Sequence, residues 1–157
     1  MKTYIRLVVS VVLCQAAGII GSLFTTPAIN SWYAGLRRPA FAPPNWVFAP
    51  VWTTLYLLMG ISLFIVWDSG VEKHAVKRAI AIFGVQLLLN ALWSYLFFGL
   101  RSPLMGLIEI LVMWVMIFLT MLMFFKISKK AALLLVPYLI WVSLASYLNY
   151  SILVLNP

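Results

Sequence analysis

LMGLIEILVMWVMIFLTMLMFF, Leu104 to Phe125, contains one charged side chain, Glu109, and is otherwise apolar apart from Thr120. About 20 such residues in a helix cross about 30 Å of hydrocarbon. The run is apolar on every side, whereas a barrel strand would alternate over about ten residues, so the stretch predicts a transmembrane helix. Four further runs share this character: about Ile5–Phe24, Trp46–Trp67, Ala79–Leu100 and Ala131–Leu155. The expectation is an all-α integral membrane protein of one domain, 1–157. Five transmembrane helices form a bundle, joined after the first by a long Pro-rich loop at about 25–45.

Composition agrees. The chain is 65% hydrophobic and 9% charged, where a soluble domain carries about a quarter charged residues. A cleaved signal peptide competes for the first run, since Lys2 and Arg6 give a basic start and Ala16–Gly18 is small. The run's length exceeds the apolar core of such peptides. Bulky Leu13 before Cys14 weakens a lipoprotein reading. One cysteine permits no internal disulfide and no cysteine-based metal cluster, so Cys14 reads as a small packing residue and no metal site is expected.

The net charge of +8 does not form a nucleic-acid patch, because the basic residues sit in the gaps between runs. Lys2, Arg6, Lys73, Lys77, Arg78, Lys126, Lys129 and Lys130 fall on one side and Arg37, Arg38 and Arg101 on the other. The positive-inside rule then places the amino terminus in the cytoplasm.

Ser102 and Pro103 read as cap and first helical residue of the fourth run. Pro50 is expected to play the same part near the start of the second. Pro137 lies well inside the fifth run, where it should kink the helix and release the carbonyl of Leu133. The gap of about twenty residues after run one is long for a compact bundle and reads as a lid or binding segment. Asn30 or Ser31 can cap a short helix through Leu36, laying Trp32 and Tyr33 at the interface. Pro39, Pro43 and Pro44 hold the following chain extended and lower the entropy lost on ordering it. Phe41, Trp46 and Phe48 give this cover an apolar underside. A plain interfacial belt is the simpler account of Trp32 and Tyr33.

Polar side chains at membrane depth face a bundle interior. Gln86, Asn90 and Ser94 recur at steps of four with Trp93 beside them; Trp141, Ala145 and Asn149 do the same, with Tyr138 one turn earlier, and Trp52 and Tyr56 share a third face. Together they predict a ring-lined pocket for a flat, mostly apolar small molecule. The competing reading is that Gln86, Asn90 and Asn149 only bond helix to helix. Glu109, the sole acid within a run, is expected near the headgroups or paired with Arg101, and His74 is expected to be solvated. Ala17 with Gly21 and Gly18 with Ser22 suit close helix contact, within the chain or across a dimer. Three acids and one histidine leave almost no acid–base chemistry, which argues against hydrolysis and phosphoryl transfer.

Three blocks, WYAGLRRPAFAPPNWVFAPVWTTLYLLMG (Trp32–Gly60), NALWSYLFFGL (Asn90–Leu100) and VPYLIWVSLASYLNYSILVLN (Val136–Asn156), together with five apolar runs, resemble the TspO/MBR family. This is the family of tryptophan-rich sensory proteins and the mitochondrial translocator protein, once called the peripheral benzodiazepine receptor. The resemblance implies a five-helix bundle, often a homodimer in the lipid bilayer, here expected in a bacterial cell membrane. Its first loop would cap a pocket for protoporphyrin IX, heme-like ligands and isoquinoline or benzodiazepine-type drugs. Trp32, Pro43, Trp52, Asn90, Trp93, Trp141 and Ala145 match the family's pocket positions, and no covalent cofactor is implied. Light-dependent porphyrin degradation, reported for some bacterial members, would place catalysis on Trp52 and Trp141. The family's cholesterol motif is not matched, since no basic residue follows Tyr150.

Three functions follow as expectations. The first is a tetrapyrrole receptor or sensor, with Tyr33, Tyr56, Tyr138 and Asn149 joining the pocket and Arg37 or Arg38 pairing with propionates. The second is an oxidative porphyrin-degrading enzyme. The third, a transporter of porphyrin or lipid, has only Glu109 for ion coupling and no evident inverted repeat.

Overall fold

A computed structural model describes residues 2–157. Helix α1 spans Thr3–Ile29, α2 Asn45–Asp68, α3 His74–Ser94, α4 Pro103–Ile127, α5 Lys129–Leu134 and α6 Val136–Leu155. A π-helical turn, Tyr95–Gly99, extends α3, and α5 with α6 makes one crossing, so five segments are long and apolar enough to span a membrane. No strand occurs among the described residues. In hydrocarbon each helix satisfies its own backbone, which is why apolar runs with no other partner settle as helices. Residues such as Ile20, Leu88, Leu122 and Ile140 point outward, where lipid solvates them.

Adjacent crossings are antiparallel, and α1 packs most extensively on α2, α3 on α4, and α4 on α6. The long loop and the α3–α4 turn share one end of the bundle. At the opposite end the interior is solid: Phe83 stacks on Phe124 at 5.7 Å, with Met59, Val66 and Ile117 buried around them. There Arg6 pairs with Asp68 at 3.0 Å, tying the start of α1 to the end of α2.

The small residues of α1 serve contacts within the chain. Gly18 lies against the Tyr56 ring and Gly21 against Ser94 Oγ. From α2, Gly60 meets the Val11 backbone so closely that a Cβ there would come within 2.6 Å of its Cα. Missing side chains let the α1 and α2 backbones approach.

Helix ends depart from expectation at the prolines. Pro27 does not stop α1, so the loop runs from 30 to 44 rather than 25 to 45. Ser31 supplies no cap for a following helix. Its hydroxyl donates back to Pro27 O at 2.8 Å, and the chain makes only a short 3₁₀ turn, Tyr33–Gly35. At α2 the flanking proline is Pro44, while Pro50 sits inside the helix. Ser102 does cap α4, accepting from Met105 N at 3.2 Å.

Pro137 produces a break rather than a kink within one helix. The helix stops at Leu134 and restarts at Val136, which leaves Pro137 in a first turn where its missing N–H is not needed. Leu135 N turns to Ala132 O, and the carbonyl left for a neighbouring helix is that of Ala131, which accepts from Ser62 Oγ at 2.7 Å.

Candidate functional site

Asn90 on α3 sits at the centre of a buried hydrogen-bond chain. The Tyr56 hydroxyl donates to Asn90 Oδ1, Asn90 Nδ2 donates to the Tyr138 oxygen at 2.9 Å, and the Tyr138 hydroxyl donates to Gln86 Oε1 at 2.7 Å. This chain locks α2, α3 and α6 at mid-depth. Nearer the loop, Trp93 Nε1 donates to Asn149 Oδ1 at 3.1 Å and Asn149 Nδ2 donates to Pro103 O at 2.7 Å, joining α3, α6 and the start of α4. The intramembrane amides therefore do bond helix to helix.

Between these two layers and the loop lies a cavity of about 610 Å³. Trp52, Trp93 and Trp141 form flat walls, and Tyr33, Tyr56, Asn90, Ala145 and Asn149 also line it. The rings brace one another. Trp52 stacks on Tyr56 at 5.5 Å and meets Trp141 edge-on at 6.5 Å, while Trp93 stacks on Phe97 at 4.9 Å and Phe48 abuts Trp141 at 6.0 Å. Rigid rings held from behind cannot fold into the space between them, so it stays open.

The loop is fastened mainly to the α3 and α6 side. Tyr33 is buried against Phe97 and Phe98, and Trp32 meets the same two rings edge-on. Asn156, at the end of α6, grips the Arg37 peptide from both sides: Arg37 N donates to its Oδ1 at 3.0 Å and its Nδ2 donates to Arg37 O at 2.9 Å. Phe41 stacks on Tyr147 of α6 at 5.1 Å. Arg38 lies over the Tyr33 ring at 5.0 Å. Burial pushes the Tyr33 hydroxyl above the usual phenol range, and the Arg38 charge beside it pulls the other way.

Of the residues expected at the site, Tyr33, Trp52, Tyr56, Asn90, Trp93, Trp141, Ala145 and Asn149 share the cavity wall. Trp32 stands behind it against Phe97, Tyr138 lies within the polar chain beneath it, and Pro43, Arg37 and Arg38 belong to the loop outside it. Sequence reasoning missed the α1 wall. Gln15, Ile19, Ser22 and Thr26 line the cavity, and the polar residues at 15 and 22, two turns apart on one face of the first apolar run, were the available signal. Glu109 is buried, and neither of its oxygens has a hydrogen-bond partner; the expected pairing with Arg101 does not form.

A family model, TspO/MBR family, matches residues 10–155. The chain belongs to the TspO/MBR family. It is 48% identical to the "Tryptophan-rich protein TspO" of Chlorobaculum tepidum over 99% of both chains. Identity to the "Tryptophan-rich sensory protein" of Cereibacter sphaeroides is 36%, over 91% of this chain and 86% of that one. Against the "Translocator protein" of Bos taurus it is 37%, over 88% and 82%. This TspO/MBR chain is thus a multi-pass integral membrane protein, and the family supports a receptor or sensor role in the membrane. Chemically, its cavity offers broad apolar faces, and many of its polar side chains are engaged with one another or with their own helices, while Trp141 Nε1 and Asn45 Oδ1 are buried without a hydrogen-bond partner. Such a site favours flat, largely apolar ligands over charged or strongly hydrated ones.

Proposed function

We propose that the protein is a membrane receptor or sensor that holds a planar tetrapyrrole, protoporphyrin IX or a heme-like relative, in the cavity beneath its first loop. The observation that carries this reading is the set of three indole walls, Trp52, Trp93 and Trp141, around about 610 Å³ of open space. That volume falls within the range of about 300–1,000 Å³ that suits drug-sized ligands. Flat isoquinoline and benzodiazepine-type drugs fit the same description. Arg38, resting on the outer face of Tyr33, is one ring away from the cavity and is the guanidinium that a propionate emerging past Tyr33 would meet. The sensory and translocator names of the relatives support the same role. The receptor sits in a bacterial cell membrane with its amino terminus in the cytoplasm, as the basic gaps suggest, and pairs as a homodimer.

The test is a tryptophan-fluorescence titration of the purified protein with protoporphyrin IX. Saturable quenching at micromolar ligand is expected, weakened about tenfold or more by Trp141→Ala, which removes one stacking wall. Linear, non-saturating quenching by a folded protein would overturn the reading.

A second reading rests on the 6.5 Å approach of Trp52 to Trp141 at the cavity wall. An illuminated porphyrin held there with dioxygen would lie against two oxidisable rings, and degradation would follow binding. Loss of the porphyrin absorbance band under light, slower in Trp141→Phe than in the native protein, is its expected signature. Equal loss in both proteins removes Trp141 from that chemistry.

A further inference from the structure

The cavity wall does not close on the α1–α2 side. Ile19, Ser22 and Thr26 of α1 face Trp46, Ala49 and Thr53 of α2, and all six both line the cavity and lie exposed on the outer surface of the bundle. Trp46 is 76% and Ile19 65% exposed. A residue that is at once cavity wall and outer surface marks an opening, and two facing stripes of them, one on each helix, mark a slot.

The slot has a definite lower end. Gln15 Nε2 donates to Thr53 O at 3.0 Å, Gly18 seats the Tyr56 ring, and one turn further on Gly60 closes against Val11. Toward the loop nothing comparable joins α1 to α2. The loop itself is clasped on the far side, by Asn156 at Arg37 and by Tyr147 at Phe41. Closure is therefore firm where the cavity faces water over α3 and α6 and absent where it faces lipid between α1 and α2.

The chemistry of the slot suits hydrocarbon. Ser22 Oγ donates to Ile19 O at 2.7 Å and Thr53 Oγ1 to Ala49 O at 2.8 Å, so hydroxyls on both edges are satisfied by their own helices and need no water. Apart from the Thr26 hydroxyl, what remains facing outward is mostly methyl, methylene and indole surface.

We infer that this slot is a lateral portal, that the cavity exchanges ligand with the hydrocarbon of the bilayer rather than with water past the loop, and that lipid acyl chains enter it when ligand is absent. The ligand class that follows is an amphiphile already dissolved in the membrane, which slides in between α1 and α2 past Trp46. For a planar porphyrin the inference rests on the receptor reading above; for the acyl chain it rests on the slot alone.

Two measurements in liposomes test it. In the first, bilayers containing lipids brominated along the acyl chain quench indoles that the chains touch. Trp52 lies on the cavity wall inside the slot and is expected to contribute to the quenched emission, so the bromine-dependent loss falls when Trp52→Phe is introduced. An unchanged loss in that variant means that chains stop at the surface, and overturns the portal whether or not any porphyrin binds. In the second, stopped-flow quenching by protoporphyrin IX compares Ala49→Phe, which narrows the slot, with Asn156→Ala, which unfastens the loop. Ala49→Phe is expected to slow both association and release by about tenfold, since narrowing a path obstructs passage in either direction. Asn156→Ala leaves both rates near the native values. Faster association in Asn156→Ala with native rates in Ala49→Phe would place the entrance at the loop and end the proposal. Failure of saturable porphyrin binding in every protein removes the receptor reading alone, because the brominated lipids still decide the portal.

Discussion

The end of the bundle that carries the loop and the end that carries the chain's first residues are cut from the same five helices, yet one is hollow and the other solid. At the solid end the interior is aliphatic or phenylalanine: Met59, Val66, Phe83, Ile117 and Phe124, each fully or almost fully buried. At the hollow end it is Trp52, Trp93, Trp141 and Tyr56, with amides between them. Flexible or small apolar side chains adjust until the gap between helices is filled. Indoles pinned by neighbouring rings and, at Trp93, by a hydrogen bond cannot adjust in that way, and they leave space. The contrast teaches that hydrophobicity alone does not set the packing of a membrane bundle. The rigidity of the side chains decides whether helices enclose a core or a chamber.

The sharpest way to break this contrast is to remove one ring from each end. Phe83 is 1% exposed and stacked on Phe124; Phe83→Ala is expected to cost about 3–5 kcal/mol, the range for emptying a filled aromatic site. Trp141 already borders open space, so Trp141→Ala is expected to cost clearly less stability while losing ligand. Thermal unfolding of both variants in detergent checks the order. Equal losses would mean that the loop end is packed as tightly as the other and that the cavity is illusory.

The next largest effect belongs to the polar layer that separates the halves. Asn90→Leu leaves the Tyr56 hydroxyl without its acceptor and the Tyr138 oxygen without its donor. Stranding buried polar groups costs about 1–3 kcal/mol each, so a loss of about 2–4 kcal/mol is expected, together with weaker ligand binding. A loss no larger than that of a lipid-facing control such as Leu88→Ala would show that the chain of bonds does not hold the helices.

How far this arrangement could be read beforehand depended on the kind of signal. The five crossings were legible in runs such as Leu104–Phe125, because hydrocarbon leaves a helix as the simplest way to satisfy a backbone. The faces bearing Asn90, Trp52 and Trp141 were legible too, since steps of four align side chains. The start of α4 at Ser102 and Pro103 was legible as well, but the helix ends near Pro27 and Pro50 were not: both lie inside α1 and α2, where lost backbone bonds must be offset by neighbours that the sequence does not locate. The α1 wall escaped notice for a related reason. Ser22 and Thr26 bear polar groups that a helix can satisfy internally, so their type alone does not reveal whether they face lipid or a chamber. Nor could spacing show that Tyr56 and Tyr138 converge on the same amide, a contact set by packing of three helices.

A smaller effect is expected where the loop meets α6. Asn156 holds the Arg37 peptide through two hydrogen bonds, and an exposed pair of this kind is worth about 1 kcal/mol. Asn156→Ala should leave the unfolding temperature nearly unchanged and speed hydrogen exchange of the amides between residues 35 and 42 by about fivefold, the equivalent of that energy. Unaltered exchange would show that Phe41 on Tyr147 and Tyr33 on Phe97 and Phe98 suffice to hold the loop.

The last substitution sharpens the comparison by reversing its sign. Asn90 and Glu109 are both buried polar residues on helices of the bundle, but every polar side-chain atom of Asn90 has a partner and neither oxygen of Glu109 does. If partners are what make polar groups stabilising at this depth, the two leucine replacements must differ. Asn90→Leu breaks bonds and is destabilising. Glu109→Leu breaks none, removes a group that hydrocarbon solvates poorly, and keeps a side chain of similar bulk. It is expected to leave the unfolding temperature unchanged or to raise it slightly, by an amount equivalent to no more than about 1 kcal/mol. Thermal unfolding of the two variants side by side reads the difference in sign. A substantial drop for Glu109→Leu would mean that its carboxyl group is engaged after all, by ordered water or by a second molecule.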